Sequence, residues 1–424
     1  MYRGTIYQMS MRTMTPQGTI NAAAELLPYV ADLGFEYVYI MPVWEMDGDL
    51  DRRTWSETMK CVNNPKNPYK IIDFYNVDFE HGTNEDLKSF VNTAHDCGLK
   101  VMFDLVYLHC GRNSRYAKEN PDFLERDENG NVPYGERWPF ARINFDNKAA
   151  REHLYNNMTM FVEEYKVDGF RCDCGDFLPV DFWDEAISRV KKIKPDIFML
   201  NEGYNRETVN HGFEMIYTDN TDILYHNNLK LAKSEITVSE WKERFLDAFV
   251  KEGKFIRAVE THDIANMAKF NRLETELKNG RMESYIVLNY LLNGVPFVWN
   301  GNEFCDDSFN LIPGNNVYGF NSLKWSNAQT SKGKKRINLI KTLNKLRKDF
   351  PDLQTAEVEI LESDENTILV KRNVGNAVIS AGFNFGENEW TASFDGDVIL
   401  SSDAEIKENN ISVKANGYFV CKNA

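Results

Sequence analysis

Short apolar runs and helix-periodic stretches take turns along residues 4–303 of this chain. The runs are GTIYQM (4–9), FEYVYIMP (35–42), LKVMFDLV (99–106), VDGFRCD (167–173), DIFMLNE (196–202), FEMIYTD (213–219), KFIRAVETHD (254–263) and VPFVWNGNE (295–303). Helical spacing recurs between them at 20–33, 85–97, 148–165, 182–192, 238–250 and 282–292, and once more at 335–348. A strand that is apolar throughout has to bury both faces, and helices between the strands supply the cover. Eight such strands predict an α/β fold with a closed parallel sheet, the (β/α)8 TIM barrel. An open doubly wound sheet is the alternative, but no GxGxxG follows the first strand to build its phosphate loop.

At Pro351 the texture changes. TILVKR, NAVISAGFNF, WTASF and ISVKANGYFVCK are short alternating runs separated by Asn, Gly and Asp, which predict a C-terminal antiparallel, sandwich-like β-domain over 351–424. The barrel then takes 1–350. Two connections, 43–83 and 107–145, are too long for ordinary loops and should build a site, the second as a short subdomain after strand three. A chain of 424 residues with 42% hydrophobic content can bury one large core and a smaller one.

A net charge of −15 without any long basic run argues against nucleic acid or an anionic membrane as partner, since both recruit Lys/Arg-rich surfaces. The seven cysteines are odd in number, scattered and without a CxxC pair, which reads as reduced thiols. No apolar run reaches membrane-spanning length and no signal peptide precedes the first strand, so a soluble cytoplasmic protein is expected.

Active sites of such barrels lie at the carboxyl ends of the strands. Asp104, Asp173, Glu202, Asp219, Asp263 and Glu303 stand there. Any one of them could be a solvated helix cap, but six carboxylates on one rim repel one another unless cations, protonation or a polar substrate compensate. Arg171 lies two residues before Asp173 and so points to the same side of a strand, where its guanidinium would keep that carboxylate ionised, as a nucleophile requires. Glu202 closes an apolar run that would raise its pKa, as a general acid requires. Two carboxyls tuned in opposite directions are the minimum equipment of a retaining glycosidase.

Four short stretches in the order DLVYLH (104–109), GFRCD (169–173), Glu202 in LNEGY and THD (261–263) resemble the α-amylase family, glycoside hydrolase family 13. NPYKIIDFYNVDFEHGTNEDL (67–87) and GVPFVWNGNE (294–303) look like two further family stretches. The resemblance implies Asp173 as nucleophile, Glu202 as general acid/base and Asp263 as a third carboxylate holding the distorted sugar. It implies that Arg171, His109 and His262 surround that sugar, that Tyr69 stacks on its face, and that Asp104 supports the site by pairing with Arg171. The substrate class would be α-1,4-linked glucose oligomers, hydrolysed through a covalent glycosyl-enzyme. A 4-α-glucanotransferase or an α-glucosidase could use the same groups, and a non-catalytic glucan-binding protein would be expected to have lost one of the three carboxylates.

The chain departs from the family pattern in places. Leu108 stands where many members carry an asparagine that binds structural calcium, so no metal and no other cofactor is expected at that position. Asp176 and Phe177 replace a Lys-His pair, which would turn the leaving-group side toward short oligosaccharides. Cys172 and Cys174 flank Asp173 and should both point away from it, as small packing residues.

Overall fold

The computed structural model describes residues 3–55, 65–135, 139–217, 227–243, 252–263, 272–277, 280–308 and 323–423. Each of the eight apolar runs contributes a barrel strand: β1 (Ile6–Met9), β2 (Tyr37–Ile40), β3 (Lys100–Leu105), β4 (Gly169–Cys172), β5 (Phe198–Asn201), β6 (Met215–Ile216), β7 (Ile256–Ala258) and β8 (Val295–Trp299). They pair in parallel in the order β6-β5-β4-β3-β2-β1-β8-β7, and a parallel bridge from Ile216 to Phe255 brings the two edges together. Side-chain alternation sorts the strands into two cores. Ile6, Tyr37, Tyr39, Met102, Phe198, Leu200, Ile256 and Phe297 fill the barrel. Tyr7, Met9, Val38, Ile40, Val101, Phe103, Phe170 and Met199 face the surrounding helices.

The helices follow local signals. The helix α1 (Asn84–Asp96) starts at a capping box made by Thr83 and Asp86. Asn147 caps α2 (Lys148–Glu164) by accepting from Ala149 and Ala150 N–H. The cover continues with α3 (Val180–Ile193), α4 (Arg281–Leu291) and α5 (Ser331–Asp349). The stretch 20–33 is two short helices, Ile20–Ala24 and Leu27–Asp32, in place of the single one its periodicity predicts. Pro28 opens the second turn of helix and has no N–H to donate backward, so the first stops short. Residues 218–219 of the sixth run and 244–250 of the predicted helix 238–250 lie outside the described residues.

Both long connections carry structure. Trp44–Met46 pairs antiparallel with Ile71–Val77, and His109–Cys110 pairs with Ala141–Arg142. Beyond the barrel, β9 (Glu359–Ser363), β10 (Thr367–Val374), β11 (Ala377–Asn384), β12 (Trp390–Ser393), β13 (Asp397–Lys407) and β14 (Asn410–Asn423) form one antiparallel sheet, ordered β9-β10-β11-β14-β12 with β13 also paired to β14. All six strands are joined by hydrogen bonds, unlike the two separate sheets of a sandwich. Ile368, Val370 and Ile379 join the barrel's outer core, while Leu369, Ile411, Val413 and Phe419 gather in a cluster of their own. No helix among the described residues is long and apolar enough to cross a membrane.

Barrel and sheet meet at the C-terminal end of α4, where helical carbonyls lack internal partners. Arginines from three elements answer them. Arg347 of α5 donates to the carbonyls of Tyr290, Leu292 and Gly294. Arg257 of β7 donates to Asn293 O at 2.8 Å. Arg372 of β10 donates to Leu291 O and, across the junction, to Leu353 O and Ala356 O at 2.9 and 2.6 Å. Replacing Arg372 by methionine keeps much of the volume but orphans buried carbonyls, so it should cost about 2–4 kcal/mol in urea denaturation. An unchanged midpoint would show that the junction does not depend on it.

Candidate active site

The neighbouring strands β3, β4 and β5 deliver the central groups. Asp104 and Arg171 are register partners on β3 and β4 and point into the barrel. The ladder then runs one step past the strand ends: Asp173 N–H donates to Leu105 O and Glu202 N–H to Cys172 O, each at 2.9 Å. Both carboxylates therefore leave the sheet beside Arg171. Its Nη1 donates to Asp104 at 2.8 and 3.0 Å and to Asp173 Oδ1 at 2.8 Å, and its Nη2 lies 2.7 Å from Glu202 Oε1. One oxygen from each of Asp173 and Glu202 and the sulfur of Cys174 lie within 4.8 Å of one another.

A ring of polar aromatics holds the other side. Tyr39 and Tyr69 both donate to Asp104 Oδ2, at 2.6 and 3.0 Å. Tyr69 is stacked on His262 with ring centroids 5.3 Å apart, and its hydroxyl oxygen is 2.8 Å from His262 Nε2. Gln8 Nε2 is 2.7 Å from His262 Nδ1. With the Gln8 amide donating, the imidazole proton sits on Nε2, facing Tyr69 and, at 3.2 Å, Asp263 Oδ2. His109 stacks on Phe140 and brings Nε2 to 3.6 Å from Asp173 Oδ2. Tyr69 and His109 come from the two long connections.

Burial dominates the electrostatics. It pushes Asp173 up to about 6, because desolvation together with Asp104 and Asp263 outweighs the pull of Arg171. Arg171 pulls against that rise, and at about 6 the carboxylate still ionises at neutral pH, as expected of a group beside a guanidinium. Glu202 is driven well above the usual carboxylate range by burial, with Asp173 and Asp263 adding to the effect against Arg171. Burial, helped by Arg142, lowers His109 to about 3, and burial also lowers His262, so both imidazoles are neutral at pH 7.

Not every strand-end carboxylate joins the group. Glu303 turns into the outer core, where Tyr7 OH and Gly301 N–H donate to it at 2.8 and 2.7 Å. Asp219 lies outside the described residues. Cys172 faces the outer core as expected, but Cys174 does not point away. The strand ends at Cys172, and Cys174 takes a left-handed backbone (φ 49°) that turns its thiol beside the two carboxylates. That trio makes a poor cation site, because the Arg171 guanidinium already occupies both carboxylates. Asp176 does not face the leaving-group side either: its oxygens accept from Asn201 Nδ2 and from the backbone N–H of Tyr204 and Asn205. Phe177 is 61% exposed and, with Leu108 and Arg142, lines a neighbouring groove of about 700 Å³. Leu108 packs against the core and offers no oxygen from its side chain, so this position does not fit a calcium ion. Gln8, Tyr39 and Phe140 are contributors that motif reading missed. The first two could have been found from alternation alone, since they share the inward parity of Ile6 and Tyr37.

The "Alpha amylase, catalytic domain" family model matches residues 5–130. An alpha-1,4-glucan:maltose-1-phosphate maltosyltransferase from Picrophilus torridus is 25% identical over 414 residues, covering 90% of this chain and 62% of the relative. A cyclomaltodextrinase from Geobacillus thermopakistaniensis is 21% identical over 393 residues, covering 85% and 61%. The chain thus spans under two thirds of the length of these curated relatives. Among solved structures, an alpha-amylase from Lactobacillus plantarum superimposes with a TM-score of 0.80 at 19% identity, over 99% of both chains, which shows a shared fold.

Four carboxylates around one guanidinium leave the site short of positive charge. A raised Asp173 weakens the fold as pH climbs from its unfolded value near 4 to about 6. Asp173→Asn should therefore stabilise the fold at pH 7 by on the order of 3 kcal/mol, seen as a higher melting temperature. The gain should be complete above about pH 6 and vanish below about 4. Thermal scans from pH 4 to 8 test this, and a variant less stable than its parent at pH 7 would contradict it.

Proposed function

We propose that this chain belongs to the α-amylase family and is a retaining glycosidase that hydrolyses α-1,4-glucosidic bonds of maltodextrins or starch-derived oligosaccharides. The observation that carries this reading is the closeness of Asp173 and Glu202, with oxygens within 4.8 Å. Retaining enzymes hold their carboxyls about 5–5.5 Å apart, whereas inverting ones leave some 6.5–9.5 Å for a water molecule.

In this mechanism Asp173 attacks the anomeric carbon while the Glu202 proton passes to the departing glycosidic oxygen. A glycosyl ester on Asp173 results. Glu202, now a carboxylate, takes a proton from water as that water attacks the same carbon and releases Asp173. The two acids suit the first step, since burial drives Glu202 well above the usual carboxylate range and so favours its protonated form, while Asp173, at about 6, is ionised near pH 7. Arg171 and the Cys174 N–H, 2.8 Å from Glu202 Oε2, suit the second by steadying the anion. Asp263, Arg171, His109 and His262 would bind the sugar's hydroxyls and Tyr69 its apolar face, with Asp104 anchoring Arg171.

The site would run transfer whenever a sugar hydroxyl replaced the attacking water, and the similarity to a maltosyltransferase favours keeping that second reading. The described cysteines are unpaired thiols, which supports a reducing compartment such as the cytoplasm.

Asp173→Asn and Glu202→Gln should each lower kcat by roughly a thousandfold or more, and azide should restore Glu202→Ala on an activated substrate. The kcat/KM profile of the parent should be bell-shaped, falling below about pH 6 as Asp173 protonates. Near-normal turnover in either variant would remove the assignment, and products longer than maltoheptaose in a chromatogram would favour transfer. The reading uses no calcium at Leu108, so EDTA should leave activity and melting temperature unchanged. A drop restored by calcium would overturn that part.

A further inference from the structure

The turn after Asp173 and the turn after Glu202 are locked together in a way the proposed mechanism does not use. Asp176 sits in the first turn, and its carboxylate crosses to the second. Oδ1 accepts from Asn201 Nδ2 at 2.7 Å, and Oδ2 accepts from the backbone N–H of Tyr204 at 2.8 Å and of Asn205 at 3.0 Å. These donors bracket Glu202 on both sides. In return, the Cys174 N–H donates to Glu202 Oε2.

Space at the crossing comes from two glycines. A Cβ on Gly203 would lie 2.2 Å from Asp176 Oδ1, and a Cβ on Gly175 would lie 2.1 Å from Asn201 Oδ1. Each turn is cut away where the other passes through. Asp176 is three residues from the nucleophile candidate, so its grip sets Glu202 relative to Asp173 directly, without passing through the barrel wall.

We propose that Asp176 is a positioning residue that clasps the Glu202 turn to the Asp173 turn and so holds the Glu202 proton on the departing oxygen. This rests on the glycosidase reading above. A carboxylate accepting three donors makes short, charge-assisted bonds. Proton transfer needs heavy atoms within about 2.6–3.2 Å, and a misplacement of about 1 Å can cost a hundredfold. Loss of the clasp should thus fall on the step that needs the proton and spare bond breaking that does not.

Two substrates separate these cases. Maltoheptaose expels a sugar oxygen that must be protonated. α-Maltosyl fluoride expels fluoride and asks little of an acid. The value of kcat/KM reports formation of the glycosyl-enzyme in both. Asp176→Ala is expected to lose about 30–100-fold on maltoheptaose and no more than about threefold on the fluoride. Asp176→Asn should recover most of the loss. Its oxygen can accept from Tyr204 and Asn205, and Asn201 can turn its amide to present Oδ1, which is buried without a partner. The high-pH limb of the Asp176→Ala profile should shift, while that of Asp176→Asn should stay near the parent's.

Equal losses on the two substrates, or no loss with Asp176→Ala, would overturn the proposal and leave the glycosidase reading intact. A parent chain inactive on both would overturn that reading and the proposal with it. Should Asp176→Ala not fold, Asp176→Glu carries the same comparison, because it keeps the charge but overreaches the two N–H groups by a methylene.

Discussion

Arg171 has no exposed surface, and its guanidinium touches Asp104, Asp173 and Glu202. A cation so buried is tolerable only when its charge and donors are answered, and buried carboxylates need it just as much. The strand order makes the meeting possible, since β3, β4 and β5 are adjacent and each contributes one partner. Charge balance is nevertheless incomplete. Two like charges about 5 Å apart still repel by roughly 3 kcal/mol at an effective dielectric of 20. Repulsion and desolvation together raise both Glu202 and Asp173, and so favour the protonated form of Glu202 while Asp173, at about 6, can still ionise.

The barrel was legible because its signal is repeated and local. Runs apolar throughout left no solvent face, and caps such as Thr83 with Asp86 mark a helix start that the chain reads over a single turn. Boundaries were harder. The break before Pro28 depends on one missing N–H, which a hydrophobic period does not register. The identities of the central residues were readable from strand-end position, but their surroundings were not. Tyr39 and Gln8 are remote in sequence and reach the site only through barrel closure.

Two readings failed just past the end of β4. Placing Cys174 by continuing the strand's alternation assumed that the strand went on, whereas the backbone turns left-handed at Cys174; placing Asp176 on the leaving-group side rested on the family pattern, which does not register that turn. Beyond that point alternate residues no longer share a side. The thiol came round to the carboxylates, and the Asp176 carboxylate was spent on a neighbouring turn. Side-chain parity is thus sound inside a strand and void one residue past its end, which in a barrel is where the chemistry is kept.

Gly175 and Gly203 bear on how such a chain can drift in sequence. Neither is called for by a left-handed backbone; each is small because a side chain from the opposite turn fills the space its Cβ would take. A side chain at 203 and the Asp176 carboxylate cannot both keep the places they hold here. A change at either position is therefore felt at the other, and the two respond to mutation as one unit.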